Sequence, residues 1–205
     1  MTVREPIKFE VFFDYLCPFV YRAASLIDGV RRSGRDVDVR WRYFSLTQVN
    51  SKDDGWTVWD APATENVRGR LAFQAAEAAR RQGRFDALHM PLLVARHRDR
   101  LDLDERSVVD ELAVAAGLDM TRFHRDVASP DILDRLRRDH TEAVAVYGIF
   151  GTPTFVFEDG ASAYVRLARP ADGEAPEPVF DRLLEIAASE PRILEIKRPV
   201  RPTPE

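Results

Sequence analysis

The chain has 205 residues, a formal net charge of −4, 45% hydrophobic residues and 31% charged residues. That composition excludes a disordered chain, a collagen-like chain and a coiled-coil rod, and at this length a sizeable core forms without disulfides or structural metals. A single cysteine excludes an internal disulfide and a Cys-rich zinc site, and the mild acidity gives nucleic acid no general electrostatic reason to bind.

No apolar run approaches the ~18 residues that span a bilayer. Residues 1–6 lead straight into a strand-like stretch with no signal-peptide core. The expectation is a cytoplasmic protein with no membrane partner and no nucleic-acid partner.

In chain order, residues 7–13 (Ile-Lys-Phe-Glu-Val-Phe-Phe) nearly alternate and are rich in β-formers, which predicts a strand. Pro18 fits the first helical position, where a missing N–H costs nothing. Phe19, Val20, Ala23, Ala24, Leu26, Ile27 and Val30 then recur at helical spacing until Gly34 stops the helix. Cys17 falls at the junction of turn and helix. Residues 37–43 alternate strictly, Val37, Val39, Trp41 and Tyr43 against Asp38, Arg40 and Arg42, which predicts an edge strand with its polar face in water.

A loop carrying Trp56 and Trp59 is expected over 45–64, followed by a helical block without strands. Its helices are read at 66–82, 85–98, 105–116 and 130–147, with a short turn near 120–127. Residues 154–158 and 163–167 read as two strands joined through Asp159-Gly160. A Pro- and Gly-rich loop at 169–178, a helix at 179–188 and an extended tail at 191–205 complete the order. The expected architecture is α/β, β-α-β then β-β-α, with residues 1–60 and 148–190 forming one domain around a helical insertion at 61–147.

Two readings of Cys17 stand on position alone. Unpaired N–H groups and the helix dipole favour a thiolate at a helix N-terminus, while cysteine is also among the most often buried residues. Gly151-Thr152-Pro153-Thr154-Phe155 puts a proline just ahead of a strand, which sheet geometry tolerates. His89, His97, His124 and His140 lack metal-ligand spacing, so no metal site is expected. Trp56 and Trp59 either rim a cleft or anchor their loop. Arg80-Arg81 and Arg137-Arg138 read as solvated helix faces, and nothing in the sequence selects Asp60 or Glu65 as acid or base.

Asp14-Tyr15-Leu16-Cys17-Pro18-Phe19-Val20-Tyr21, taken together with Gly148-Ile149-Phe150-Gly151-Thr152-Pro153-Thr154-Phe155, resembles the DsbA-like thioredoxin superfamily. The nearest likeness is to its cytoplasmic FrnE-type, 2-hydroxychromene-2-carboxylate isomerase and kappa-class glutathione transferase relatives. Ala116-Gly117-Leu118-Asp119, Phe123 and the helix running to Tyr147 match that family's helical insert. The resemblance implies a thioredoxin-like fold, an attacking sulfur at Cys17, and a cis-proline at Pro153 packed against it. It also implies a thiol- or substrate-binding surface made by Pro18, Phe19, Val20, Thr152 and Pro153. Val20 stands where the family's dithiol members carry a second, resolving cysteine.

Three functions follow from that pattern. The first is a monothiol thiol–disulfide oxidoreductase acting through mixed disulfides. It would hold no tightly bound cofactor, would use glutathione or another low-molecular-weight thiol as co-substrate, and would act on a disulfide-containing protein or a small-molecule disulfide. The second is a glutathione-dependent isomerase or transferase. The third is a non-catalytic thioredoxin-fold binding protein.

Overall fold

The computed structural model describes residues 5–169, 173–190 and 192–196. β1 (Ile7–Phe13) buries Phe9, Val11 and Phe13 in one hydrophobic cluster and Phe12 in another, as its alternation demands. α1 (Pro18–Arg32) opens on Pro18 and carries Arg31 and Arg32 in its last turn. It closes where Gly34, at φ +93°, lets the Arg35 N–H turn back to the Val30 carbonyl at 3.3 Å. β2 (Val37–Tyr43) then pairs parallel to β1, from Ile7 opposite Val37 to Phe13 opposite Tyr43.

β3 (Thr154–Phe157) pairs antiparallel to β1, and β4 (Ser162–Tyr164) antiparallel to β3. The sheet order β2-β1-β3-β4 makes a four-stranded mixed sheet with β1 inside and β2 at an edge. Both the central and the edge assignment follow the sequence patterns. The last strand is shorter than its sequence suggests, ending at Tyr164 rather than continuing to Leu167.

Between the two halves lie α3 (Arg70–Arg81), α4 (Phe85–His97), α5 (Arg106–Ala115), α6 (Met120–Val127) and α7 (Asp134–Ala145), with no strand among them. α2 (Leu46–Val49), a single turn capped by the Ser45 hydroxyl, interrupts the expected 45–64 loop. The turn expected near 120–127 is a full helix, capped by Asp119 accepting from the Arg122 N–H. α3 begins at Arg70 rather than at 66, because its N-cap Gly69 takes a left-handed φ of +78° and breaks the helical path. α8 (Glu177–Ala187) packs on α1. The 191–205 tail and the 169–178 loop lie partly outside the described residues, as do residues 1–4.

The Phe13 face of the sheet is roofed by α1, α3 and α4. Phe13 sits among Tyr15, Trp41, Tyr43, Phe73, Phe85 and His89, with ring centroids 4.8 to 6.4 Å away. Full burial of such side chains stabilises by about 1.5–3 kcal/mol each. α7 covers the opposite face at the C-terminal ends of β1 and β2, where Ala143 and Ile149 cluster with Phe12, Phe44 and Val156.

Two readings of charge are corrected by these covers. Asp38 and Arg40 do face water, but Arg42 is buried beneath α7, where Asp139, Glu142 and Glu10 meet its guanidinium. Arg80 is no solvated residue either. It lies 3.8 Å over the Phe85 ring, donates to the Trp41 carbonyl and pairs with Glu77, which also accepts from the Tyr43 hydroxyl. Arg137 and Arg138 are exposed as expected.

Buried histidines set the response to acid. Burial brings His89 from its ordinary 6.5 down to about 3, and brings His140 down to about 4. The unfolded chain therefore takes up these two protons as pH falls below 6.5 while the folded chain does not. Their stabilisation is complete above that pH and is lost towards pH 4. Asp14 works in the opposite sense. Burial raises it from 3.8 to about 6, so its contribution is complete below 3.8 and is lost as pH rises towards 6. Two groups outweigh one, and the thermal midpoint is expected to fall on acidification from pH 6.5 to 4. His89→Leu should make that fall shallower, as differential scanning at several pH values would read. A midpoint indifferent to pH across that window would contradict the assignment.

Candidate active site

The turn between β1 and α1 is built by Asp14. This fully buried carboxylate accepts from the Leu16 N–H at 2.8 Å and from the Leu46 N–H at 2.6 Å, while its own carbonyl accepts from the Cys17 N–H at 3.1 Å. One side chain thus shapes the turn and ties it to the chain leaving β2. Its raised proton affinity comes first from burial, which outweighs the two N–H donors.

α4 holds the same turn from the other side. The Tyr15 hydroxyl pairs with His89 Nδ1 at 3.0 Å, and His97 Nε2 bonds to the Tyr15 carbonyl at 2.8 Å while its ring stacks on Tyr21. The two histidines, spaced by a little over two helical turns, share the face of α4 that meets the turn. Among the described residues no cluster of potential metal ligands forms. A histidine pair at i and i+8 on an apolar helix was the available signal.

Leu16 packs against Gly69. A Cβ at Gly69 would come 3.0 Å from Leu16 Cδ1, and φ is +78° there, while the Gly69 N–H is held by Asp104 at 2.7 Å. Gly69→Ala is therefore expected to cost about 1–2 kcal/mol from the left-handed backbone alone, and to displace the Cys17 turn through Leu16. A denaturation midpoint unchanged from wild type would refute this.

Cys17 is the N-cap of α1, in extended conformation, 5% exposed. Pro18 is exposed, Phe19 half-buried and Val20 buried one turn on. Few donors of the first turn face the thiol. Pro18 has no N–H, the Val20 N–H goes to the Cys17 carbonyl at 3.1 Å, and no side-chain cap bond forms at Cys17. The thiol is itself the donor, to the Thr152 carbonyl with Sγ···O 3.1 Å.

Thr152 is buried on the opposite side of the contact, and the Thr152–Pro153 peptide is cis. The Pro153 carbonyl accepts from the Val165 N–H at 3.1 Å, which ties this loop to the segment leaving β4. The Thr152 hydroxyl is buried without a hydrogen-bond partner. Cys17, Thr152 and Pro153, more than 130 residues apart in sequence, thus meet at one place. Trp56 and Trp59 do not line that place. Trp56 donates to Glu65 and Trp59 packs on His140, so both anchor their loop. Asp60 closes a local turn with Thr57 and pairs with Arg137 at 4.0 Å.

Residues 8–173 match the DSBA-like thioredoxin domain, and the chain belongs to that family. It is a thioredoxin-fold protein of the DsbA type with a single cysteine. Among curated relatives, the Na(+)/H(+) antiporter NhaA 1 of Mycobacterium sp. (strain KMS) is 33% identical over 153 residues, 73% of this chain but 21% of the relative. The chain thus spans about a fifth of the length of the antiporter relatives. The uncharacterized protein Rv2286c of Mycobacterium tuberculosis is 25% identical over 193 residues, 93% of this chain and 81% of that one.

Two solved structures illustrate the shared fold. A probable DsbA oxidoreductase from Streptomyces coelicolor superposes with a TM-score of 0.61 at 24% identity, covering 96% of this chain and 94% of that one. A 2-hydroxychromene-2-carboxylate isomerase superposes with a TM-score of 0.61 at 15% identity, covering 89% and 98%. Among the described residues no helix is long and apolar enough to cross a membrane.

Proposed function

We propose that the chain catalyses thiol–disulfide exchange with Cys17 as its lone sulfur nucleophile. The observation that supports this most is the 3.1 Å contact of Cys17 Sγ with the Thr152 carbonyl, which joins the two motifs by which the chain resembles its family. In the first step the thiol gives up its proton to solvent and Sγ attacks one sulfur of a disulfide. The Sγ–S bond forms as the old S–S bond breaks, and the departing thiolate is protonated. Val20 offers no second sulfur. An external thiol must therefore attack the mixed disulfide, form a new disulfide with the bound group and return Cys17 as the thiol.

Glutathione or another low-molecular-weight thiol fits that resolving role, and a disulfide-bearing protein or small disulfide fits the first. The cytoplasm, where such thiols are held reduced, suits the cycle. Pro18, Phe19, Val20, Thr152 and Pro153 would form the binding surface around the sulfur.

Intact-mass analysis after incubation with oxidised glutathione tests the reading. A single glutathionyl adduct is expected on the wild-type protein and none on Cys17→Ala. Absence of any adduct together with conversion of 2-hydroxychromene-2-carboxylate would replace the reading with the isomerase type. Absence of an adduct with peptide binding that survives Cys17→Ala would replace it with a binding protein.

A further inference from the structure

Phe19, two residues beyond Cys17, has a guanidinium near its ring from each of two chain segments. Arg22 Cζ lies 5.0 Å from the ring centroid and Arg166 Cζ 4.2 Å. Arg22 is on α1, one turn after Phe19, and donates through Nη1 to the Leu167 carbonyl at 2.8 Å. Arg166 follows Val165, whose N–H is bonded to the Pro153 carbonyl. The same short strap therefore supplies both the support of the Pro153 loop and a cation beside the Cys17 helix.

Among the described residues neither guanidinium meets a carboxylate; Arg22 is held by the Leu167 carbonyl instead. Two like charges centred on one aromatic ring sit within about a Debye length of each other, and they repel unless an anion joins them. The positive field extends along the turn. His97, beside Tyr15, has its imidazolium disfavoured by burial and further by Arg96, Arg100 and Arg22, against the favourable bond to the Tyr15 carbonyl. Cation–π contact holds each guanidinium over Phe19 while leaving N–H donors free, since a guanidinium has five. Planar forks of this kind suit carboxylate recognition.

We infer that Arg22 and Arg166, positioned on Phe19, form an anion-binding subsite beside Cys17 that selects small disulfides and thiols bearing carboxylates. This rests on the exchange reading, because the subsite is placed to hold the non-reacting end of a molecule whose sulfur meets Cys17. It makes the electrostatics of the substrate, rather than a second protein sulfur, the source of selectivity. The chemistry of the step is unchanged: Sγ bonds to one substrate sulfur as the other leaves and takes up a proton.

Three disulfides of similar size and different charge test it: 3,3′-dithiodipropionate, bis(2-hydroxyethyl) disulfide and cystamine. Each rate of adduct formation on Cys17 is divided by the rate for a neutral cysteine peptide, which removes differences in leaving-group acidity. The wild type is expected to favour the dianionic disulfide over the dicationic one by about tenfold, with the preference shrinking at high salt. Arg166→Gln should bring the ratio towards one and Arg166→Glu should invert it. Arg166 is exposed, and circular dichroism of each variant serves as the check that it folds. A wild-type ratio near one, or a preference that Arg166→Glu leaves intact, would overturn the subsite while exchange itself stands. Failure of Cys17 to react with any of the three would overturn the exchange reading, and the subsite with it.

Discussion

Asp139→Ala is expected to lower the unfolding free energy by about 3–5 kcal/mol, the cost of leaving one partner of a buried ion pair uncompensated. Asp139 accepts from Arg42 Nε at 3.1 Å and Nη2 at 3.0 Å with one oxygen, and from the Tyr43 N–H at 3.2 Å with the other. The Arg42 side chain is 4% exposed, and its other partners are weaker substitutes, Glu142 being 44% exposed and Glu10 21%. Removing the carboxylate therefore leaves the buried guanidinium to the more exposed Glu10 and Glu142 alone, and strands a strand-end N–H. The paired replacement Arg42→Met with Asp139→Leu should recover most of the loss, since an apolar pair of similar volume carries no desolvation cost. Urea unfolding at constant m-value checks both. A loss under about 1 kcal/mol in the single variant would show that the network is no more than a surface pair.

On the proposed exchange cycle, Val20→Cys should turn a monothiol reaction into a dithiol one. Val20 lies one turn beyond Cys17, with its N–H on the Cys17 carbonyl at 3.1 Å. Residues three apart on a helix have Cβ atoms about 5–6 Å apart, so a small shift brings two sulfurs into bonding range. An internal sulfur acts at an effective concentration in the millimolar range or above. With sub-millimolar external thiol, release of a mixed disulfide should then quicken on the order of tenfold or more. Insulin reduction driven by dithiothreitol should rise accordingly. Equal turnover by wild type and variant would contradict the argument.

Much of this fold is written in short-range pattern. β1, α1 and β2 have the ends that alternation, Pro18 and Gly34 predict, because each signal acts within a few residues. The start of α3 is less legible. Residues 66–69 are compatible with helix, but Gly69 turns left-handed under Leu16, and Arg70 is drawn to the carbonyls of Ala61, Pro62 and Glu65. Both forces come from other segments.

The burial of Arg42 was hidden for the same reason. Strict alternation places it on a polar face, and only α7, 97 residues on, decides that the face is covered there.

At the site, Cys17 and Pro153 were legible only as a pair through family resemblance, and position alone left Cys17 open. The structure adds the contacts that the motifs do not show: Asp14 shaping the turn, His89 and His97 holding Tyr15, and two arginines on Phe19. The Val20 N–H is bonded to the Cys17 carbonyl. A helix N-terminus offers its donors to a side chain only when the local turn leaves them unspent.

The central claim, a single sulfur resolved from outside, is tested most directly by the decay of the isolated mixed disulfide. Wild-type protein carrying one glutathionyl group on Cys17 is mixed with increasing concentrations of reduced glutathione, and release is followed by rapid acid quench and intact mass. The expected rate is proportional to the added thiol and extrapolates to zero without it. Release at a finite rate in the absence of added thiol would contradict the account.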